Sequence, residues 1–162
     1  MRDRADELRA EFDATFAAPS ASAETTSVDV LLVRAGGVPY VIVRADVSGL
    51  YADLVVVSVP TRAPELLGLA AIHNVVVPVY AIERLVGSAR SPAAPRWLVA
   101  IRTLALAFEA FDGYRRVASL PVAPASGHLR GVVEVDGELR PILDIESVLT
   151  TISRRTAAAK ER

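Results

Sequence analysis

Gly68-Leu69-Ala70-Ala71-Ile72-His73-Asn74-Val75-Val76-Val77-Pro78-Val79-Tyr80-Ala81-Ile82-Glu83 and Gly131-Val132-Val133-Glu134-Val135-Asp136-Gly137-Glu138-Leu139-Arg140-Pro141-Ile142-Leu143-Asp144-Ile145-Glu146 align without a gap. Both follow one template: Gly, a short apolar strand, a polar pair, a second strand interrupted by Pro, then Ile-Glu opening a helix. Self-similarity of this kind implies a chain built from two related subdomains.

The polar pair predicts how each copy folds. Asp136-Gly137 separates two apolar runs, and Asp-Gly is a favoured two-residue hairpin turn because both central residues can take positive φ. His73-Asn74 occupies the equivalent place, and both residue types are enriched in that left-handed region. His73 is therefore expected to be a turn residue. Pro78 and Pro141 lack a donor, which predicts a strand edge or end for each. The helix at Ala81 to Val86 should stop at Gly87, and Asp144 should cap a longer helix through Ile145, Val148, Leu149 and Ile152.

Working outward, Val28 to Arg34 and Val38 to Arg44 flank Gly36-Gly37, another two-residue hairpin signal. Leu54 to Val59 is an apolar run ending at Pro60, and Trp97 to Ile101 and Leu104 to Phe108 read as strands. Asp112-Gly113 precedes a further candidate at Tyr114 to Val117. Many short strands with few helices predict a mainly β chain of two small barrels packed face to face, over residues 28–155, with the junction near 88–96. Ahead of it, residues 1–18 read as an amphipathic helix with Leu8, Phe12 and Phe16 on one stripe, and residues 19–27 as a linker. That stripe needs a surface, either on its own domain or on a partner. Residues 156–162 are expected to be a disordered tail.

The chain has 162 residues, of which 52% are hydrophobic, enough for a folded domain or two subdomains sharing a core. Its net charge of -1 argues against a general polyanion binder, so no nucleic-acid partner is expected. With no Cys, disulfides and thiolate metal sites are excluded, which suits a reducing cytoplasm. The start Met1-Arg2-Asp3-Arg4 is charged, so a secretory signal is not expected there. Leu66 to Ile82 is nearly free of charge and approaches the length of a membrane span. Its Asn74, Pro78 and β-branched residues, and the charged centre of its second copy, mark it as strands instead, so no direct membrane insertion is expected.

No constellation for catalysis stands out. His73 and His128 are not spaced as metal ligands, so neither metal nor cofactor is expected. Ser48-Gly49 and Ser126-Gly127 lack the pattern of a nucleophile elbow, and Gly36-Gly37 lacks the Lys and helix of a phosphate loop. The enzyme reading that remains is a small hydrolase using His128 with Asp144 or Glu146. Arg115-Arg116 and Arg154-Arg155 read as solvent-facing pairs, and Trp97 as core.

The order of signals from Val28 to Ile152 resembles the CheW-type coupling domain of bacterial chemosensory systems. The likeness is carried by the strand pair about Gly36-Gly37, by Pro60 through Pro64, by Gly68 to Ile72 followed by Pro78-Val79, and by the unit from Gly131 to Ile145. It implies two intertwined SH3-like five-stranded barrels and a non-enzymatic adaptor. Its partners would be the regulatory domain of a CheA-type histidine kinase and the cytoplasmic tip of a chemoreceptor or a substitute, at membrane-bound receptor arrays in the cytoplasm. The resemblance places the receptor-facing groove on Val47, Gly49, Leu50, Gly68, Ile72, His73 and Asn74; the apolar stripe Leu8, Phe12 and Phe16, outside the resemblance, is expected as an additional contact. Family members usually carry Val-x-Glu-Ile in the first segment and Asn-Leu-Arg-Gly in the second. Here Gly49 replaces the acid and His73-Asn74 the Arg-Gly pair, which implies a rebuilt groove. The same scaffold used outside chemotaxis, for localisation or assembly, is the alternative.

Overall fold

The computed structural model describes residues 26–88, 93–121 and 126–161. The helix expected over 1–18 and most of the linker lie outside these residues. The described part contains ten strands in two five-stranded sheets. They are β1 Val28–Ala35, β2 Val38–Val43, β3 Gly49–Ala52, β4 Leu66–Ile72, β5 Val75–Ala81, β6 Trp97–Ile101, β7 Leu104–Phe108, β8 Ala110–Val117, β9 Leu129–Val135 and β10 Glu138–Leu143. Two helices, α1 Ile82–Val86 and α2 Ile145–Lys160, follow β5 and β10. A single 3-10 turn, Arg44–Asp46, links β2 to β3.

Both copies of the repeat fold as read. β4 and β5 meet about His73 (φ 47°) and Asn74 (φ 64°), and β9 and β10 about Asp136 (φ 53°) and Gly137 (φ 79°). Gly87 ends α1 in the left-handed conformation, and the Asp144 side chain accepts the Ser147 N–H at 3.2 Å to cap α2.

The sheet orders are β8-β1-β2-β10-β9 and β3-β6-β7-β5-β4. Each consists of one strand, one hairpin, and then a repeat hairpin joined in parallel, β10 to β2 and β5 to β7. Here two expectations are corrected. The 88–96 connection does not separate the halves, because β6 and β7 stay with β3 to β5. The chain changes sheets at Arg44 to Ser48 and again at Glu109, so the first sheet is made from both ends of the chain. The prolines are also not on edge strands. Pro78 and Pro141 each directly precede the residue where parallel pairing begins, Val79 and Ile142, so neither has to donate across that ladder.

Alternation along the strands builds three apolar layers. Leu31, Val33, Tyr40, Ile42, Val99, Ile101, Leu104, Leu106, Phe108 and Leu143 face a core shared by both sheets, closed by Ile145, Val148 and Ile152 of α2. Their neighbours turn the other way: Val30, Leu32, Val41 and Ile142 fill the first barrel, and Ala70, Val79, Leu98, Ala100, Ala105 and Ala107 the second. Strands buried on both faces explain why these runs are continuously apolar.

Two smaller differences have local causes. Leu54 to Val59 forms no strand; Val57 makes one bridge to Leu69, while Leu54 and Val56 pack on the second barrel and Val55 stays exposed. The expected tail over 156–162 is helical as far as Lys160, because Ala157-Ala158-Ala159 favour helix; within it Thr156 Oγ1 bonds the Ile152 carbonyl at 2.9 Å.

Candidate functional site

Strand β3, the end of β4, the start of β5 and the β6–β7 turn surround an open cavity of about 240 Å³ at one end of the second barrel. Its walls are Ser48, Tyr51, Ile72, His73, Val75, Val77, Ala100, Arg102 and Leu104. The structure thus brings together the two segments singled out in the sequence, but through partly different side chains. Ile72 and His73 line the cavity. Asn74, the second turn residue, is exposed outside it.

In the first segment Ser48 and Tyr51 do the lining. Val47 is buried in the shared core, and the half-buried Leu50 packs partly against it. Gly49 pairs with Ala100 on β6. A β-carbon at Gly49 would stand 2.6–2.8 Å from the Tyr51 ring, so that ring occupies the space a side chain would need. Tyr51 then meets the His73 ring edge-on, centroids 5.8 Å apart at 79°. Sequence reasoning read Gly49 as a missing acid and passed over Tyr51, although residues two apart on a strand share a face.

Gly68 serves a different purpose. A β-carbon there would lie 2.1 Å from the Val57 carbonyl oxygen, which bonds the Leu69 N–H at 2.8 Å. The glycine admits the Val57 segment against the edge of β4. Leu8, Phe12 and Phe16 lie outside the described residues.

Arg102, a residue of the β6–β7 turn with φ 51°, bonds Glu146 at 2.7 Å. Together with Ser48 it also borders a neighbouring cavity of about 300 Å³ lined by Asp46, Ile145 and Glu146.

The residues of the hydrolase alternative are each engaged elsewhere. Asp144 caps α2, Glu146 pairs with Arg102, and His128 Nδ1 lies 3.1 Å from Ser147 Oγ, whose hydroxyl donates to the Gly127 carbonyl at 2.8 Å. Burial holds the His128 pKa below its usual 6.5, with the Arg155 charge adding to the shift and Asp144 opposing it. Among the described residues, no group of three or more His, Asp and Glu could hold a metal ion. No described helix is long and apolar enough to cross a membrane.

Two charged clusters went unseen in the sequence. Arg34 and Arg140 each contact both Asp112 and Glu138 at 2.7–3.1 Å, joining β1, β8 and β10; the Arg140 side chain is only 4% exposed. Two cations balance two anions, so the cluster ties strands together and offers no unpaired charge. The second is Glu65, 3% exposed, paired with Arg155 of α2. Asp112 and Glu65 look unremarkable in a linear sequence because their partners lie far along the chain.

The CheW-like domain family matches residues 29–153 of this chain. No curated protein matches. Among solved structures, the scaffolding protein TtCheW from Thermoanaerobacter tengcongensis superposes with a TM-score of 0.63 at 12% identity, over 72% of this chain and 88% of that one.

Proposed function

This chain belongs to the CheW-like domain family, and on that premise we propose that it is a non-enzymatic adaptor of a bacterial chemosensory array. It couples the regulatory domain of a CheA-type histidine kinase to a chemoreceptor tip, or to a helical substitute for one, on the cytoplasmic side. The observation that carries this reading is the groove itself. Two distant segments, one ending at Tyr51 and one at His73, converge on a mostly apolar cavity that a rigid shared core holds open. Apolar centres ringed by polar groups suit protein docking, and the likeness of the fold to a scaffolding protein points the same way.

Titration calorimetry of the full chain with the regulatory domain of each CheA-type kinase of the same cell tests this proposal. Micromolar association with at least one is expected, and absence of binding to all of them would refute it. A scaffold used outside chemotaxis would instead form foci that persist in cells lacking receptors and kinase, which fluorescence microscopy distinguishes.

A further inference from the structure

Where β1 begins, an open groove of about 490 Å³ is lined by Asp29, Arg44, Tyr114, Arg115 and Arg116. Its charge is unbalanced. Arg116 pairs with Asp29 at 2.8 Å and Arg115 with Asp136 at 2.7 Å, while Arg44, which donates to the Val47 carbonyl at 2.9 Å, makes no ion pair with a described residue. Tyr114, 51% exposed, is the outer end of an aromatic ladder. Its ring meets Phe111 edge-on at 5.2 Å, and Phe111 meets Trp97 at 5.3 Å, both of them packed on the shared core.

The stretch of chain that leads into this groove has the opposite character. Residues 1–25, outside the described residues, carry six acids against three bases, whereas the whole chain stands at -1, so the remainder is net positive. On the helix expected there, Glu7 and Glu11 border the stripe of Leu8, Phe12 and Phe16 on one side, and Arg9 and Asp13 on the other. The nine residues 19–27 join it to β1. At about 3.3–3.6 Å each they reach roughly 30 Å, enough to bring the stretch back to a groove that opens at Asp29. Exposed ion pairs are individually weak, but so short a tether sets an effective concentration on the order of millimolar, so a modest contact suffices. The exposed valines Val55, Val57, Val75 and Val76 also offer apolar area. Their runs, Leu54 to Val59 and Asn74 to Val77, contain no basic residue, so the acids beside the stripe gain no counter-charge from them.

We infer that the arginine groove beside β1 is the docking site of the chain's own N-terminal segment, residues 1–18, with Glu7 and Glu11 against Arg44 and Arg116 and an aromatic ring of the stripe stacked on Tyr114. Docked there, the segment shields a basic, aromatic face. An acidic partner that uses this face must displace it.

Paramagnetic broadening in the full-length chain tests this with neither kinase nor receptor present. Because the chain has no Cys, a nitroxide on Ala10→Cys, away from the stripe, is unique. Amide signals of Asp29, Arg44, Tyr114 and Arg116 should lose most of their intensity, while those of Val75 and Val76 keep theirs. Phe12→Ala, a change outside both barrels, should restore the lost intensity, and so should Arg44→Glu; spectra of the reduced samples confirm that both variants remain folded. No loss at the groove, loss centred anywhere else, such as Val55 to Val57, or loss that survives either variant would each overturn the inference. So would loss in an isotope-labelled chain without nitroxide, mixed with an unlabelled chain bearing it, since that places the segment on a second copy.

Discussion

Replacing Gly68 by Ala probes whether this residue serves the groove or the strand edge. The new methyl would sit 2.1 Å from the Val57 carbonyl oxygen, where ordinary contact begins at 3.4 Å, so the Val57 segment must retreat by more than an ångström. That movement breaks the Val57 N–H to Leu69 carbonyl bond and its reciprocal, both 2.8 Å. Two backbone bonds at about 1 kcal/mol each, plus about 1 kcal/mol for a non-glycine residue at φ +156°, give a loss of about 3 kcal/mol. At the scale of this chain, that lowers Tm by about 6–12 °C. Urea unfolding followed by circular dichroism, with an unchanged m-value, measures the loss. Gly137→Ala is the control: φ is also positive, at +79°, but nothing lies within 4 Å of its β-carbon. If Gly68→Ala were no worse than Gly137→Ala, the reasoning from close approach would be wrong, and Gly68 would return as a direct partner contact.

Two further outcomes follow from charges that the fold encloses. The folded chain resists protonating His128, so below pH 6.5 the unfolded state binds the proton first; stability should be full above that value and decline as pH falls toward the lower folded pKa. Urea midpoints against pH should show that decline in the parent chain, and His128→Asn should remove its share; identical curves would refute the assignment. Arg155→Ala strands the buried Glu65 carboxylate and should cost about 1–3 kcal/mol, partial exposure of Arg155 keeping it below the cost of a fully buried pair. The adjacent Arg154→Ala should stay within about 0.5 kcal/mol, and adding Glu65→Gln should recover much of the loss; equal effects from both arginines would contradict the buried pairing.

What could be read in the sequence was local. Asp136-Gly137, His73-Asn74 and Gly36-Gly37 announce their hairpins because positive φ is a demand on the residue itself; Gly87 announces a helix end for the same reason, and Asp144 a helix start because its carboxylate can accept the first free N–H. What escaped was long-range. Nothing in Val79 or Ile142 says that each will run parallel to a strand of a different hairpin, so the interleaved order of the sheets had no local signature, and the Pro-rich stretch near 88–96 was mistaken for a boundary. In the groove, the segments were legible but the orientation of their side chains was not. Val47 is as apolar as a docking residue should be, yet the shared core takes it, whereas Tyr51 gains its role from a neighbour that has no side chain. The pairs Arg140–Asp112 and Arg155–Glu65 were hidden because each acid lies far in sequence from its base, and Glu138, two residues from Arg140, gave no sign that the pair would be enclosed.

The interleaving of the sheets also has a bearing on biosynthesis. All five strands of the second sheet leave the ribosome as an uninterrupted stretch, while β1 and β2 emerge first and must wait for β8, β9 and β10 before their own sheet is complete. During translation at about 5–20 residues per second, the apolar faces of that first hairpin stay uncovered for several seconds. The nascent chain is therefore most vulnerable to aggregation and proteolysis while its middle is being made, and a premature stop after Phe108 would leave the β1–β2 hairpin without β8 and β10 on its two outer edges.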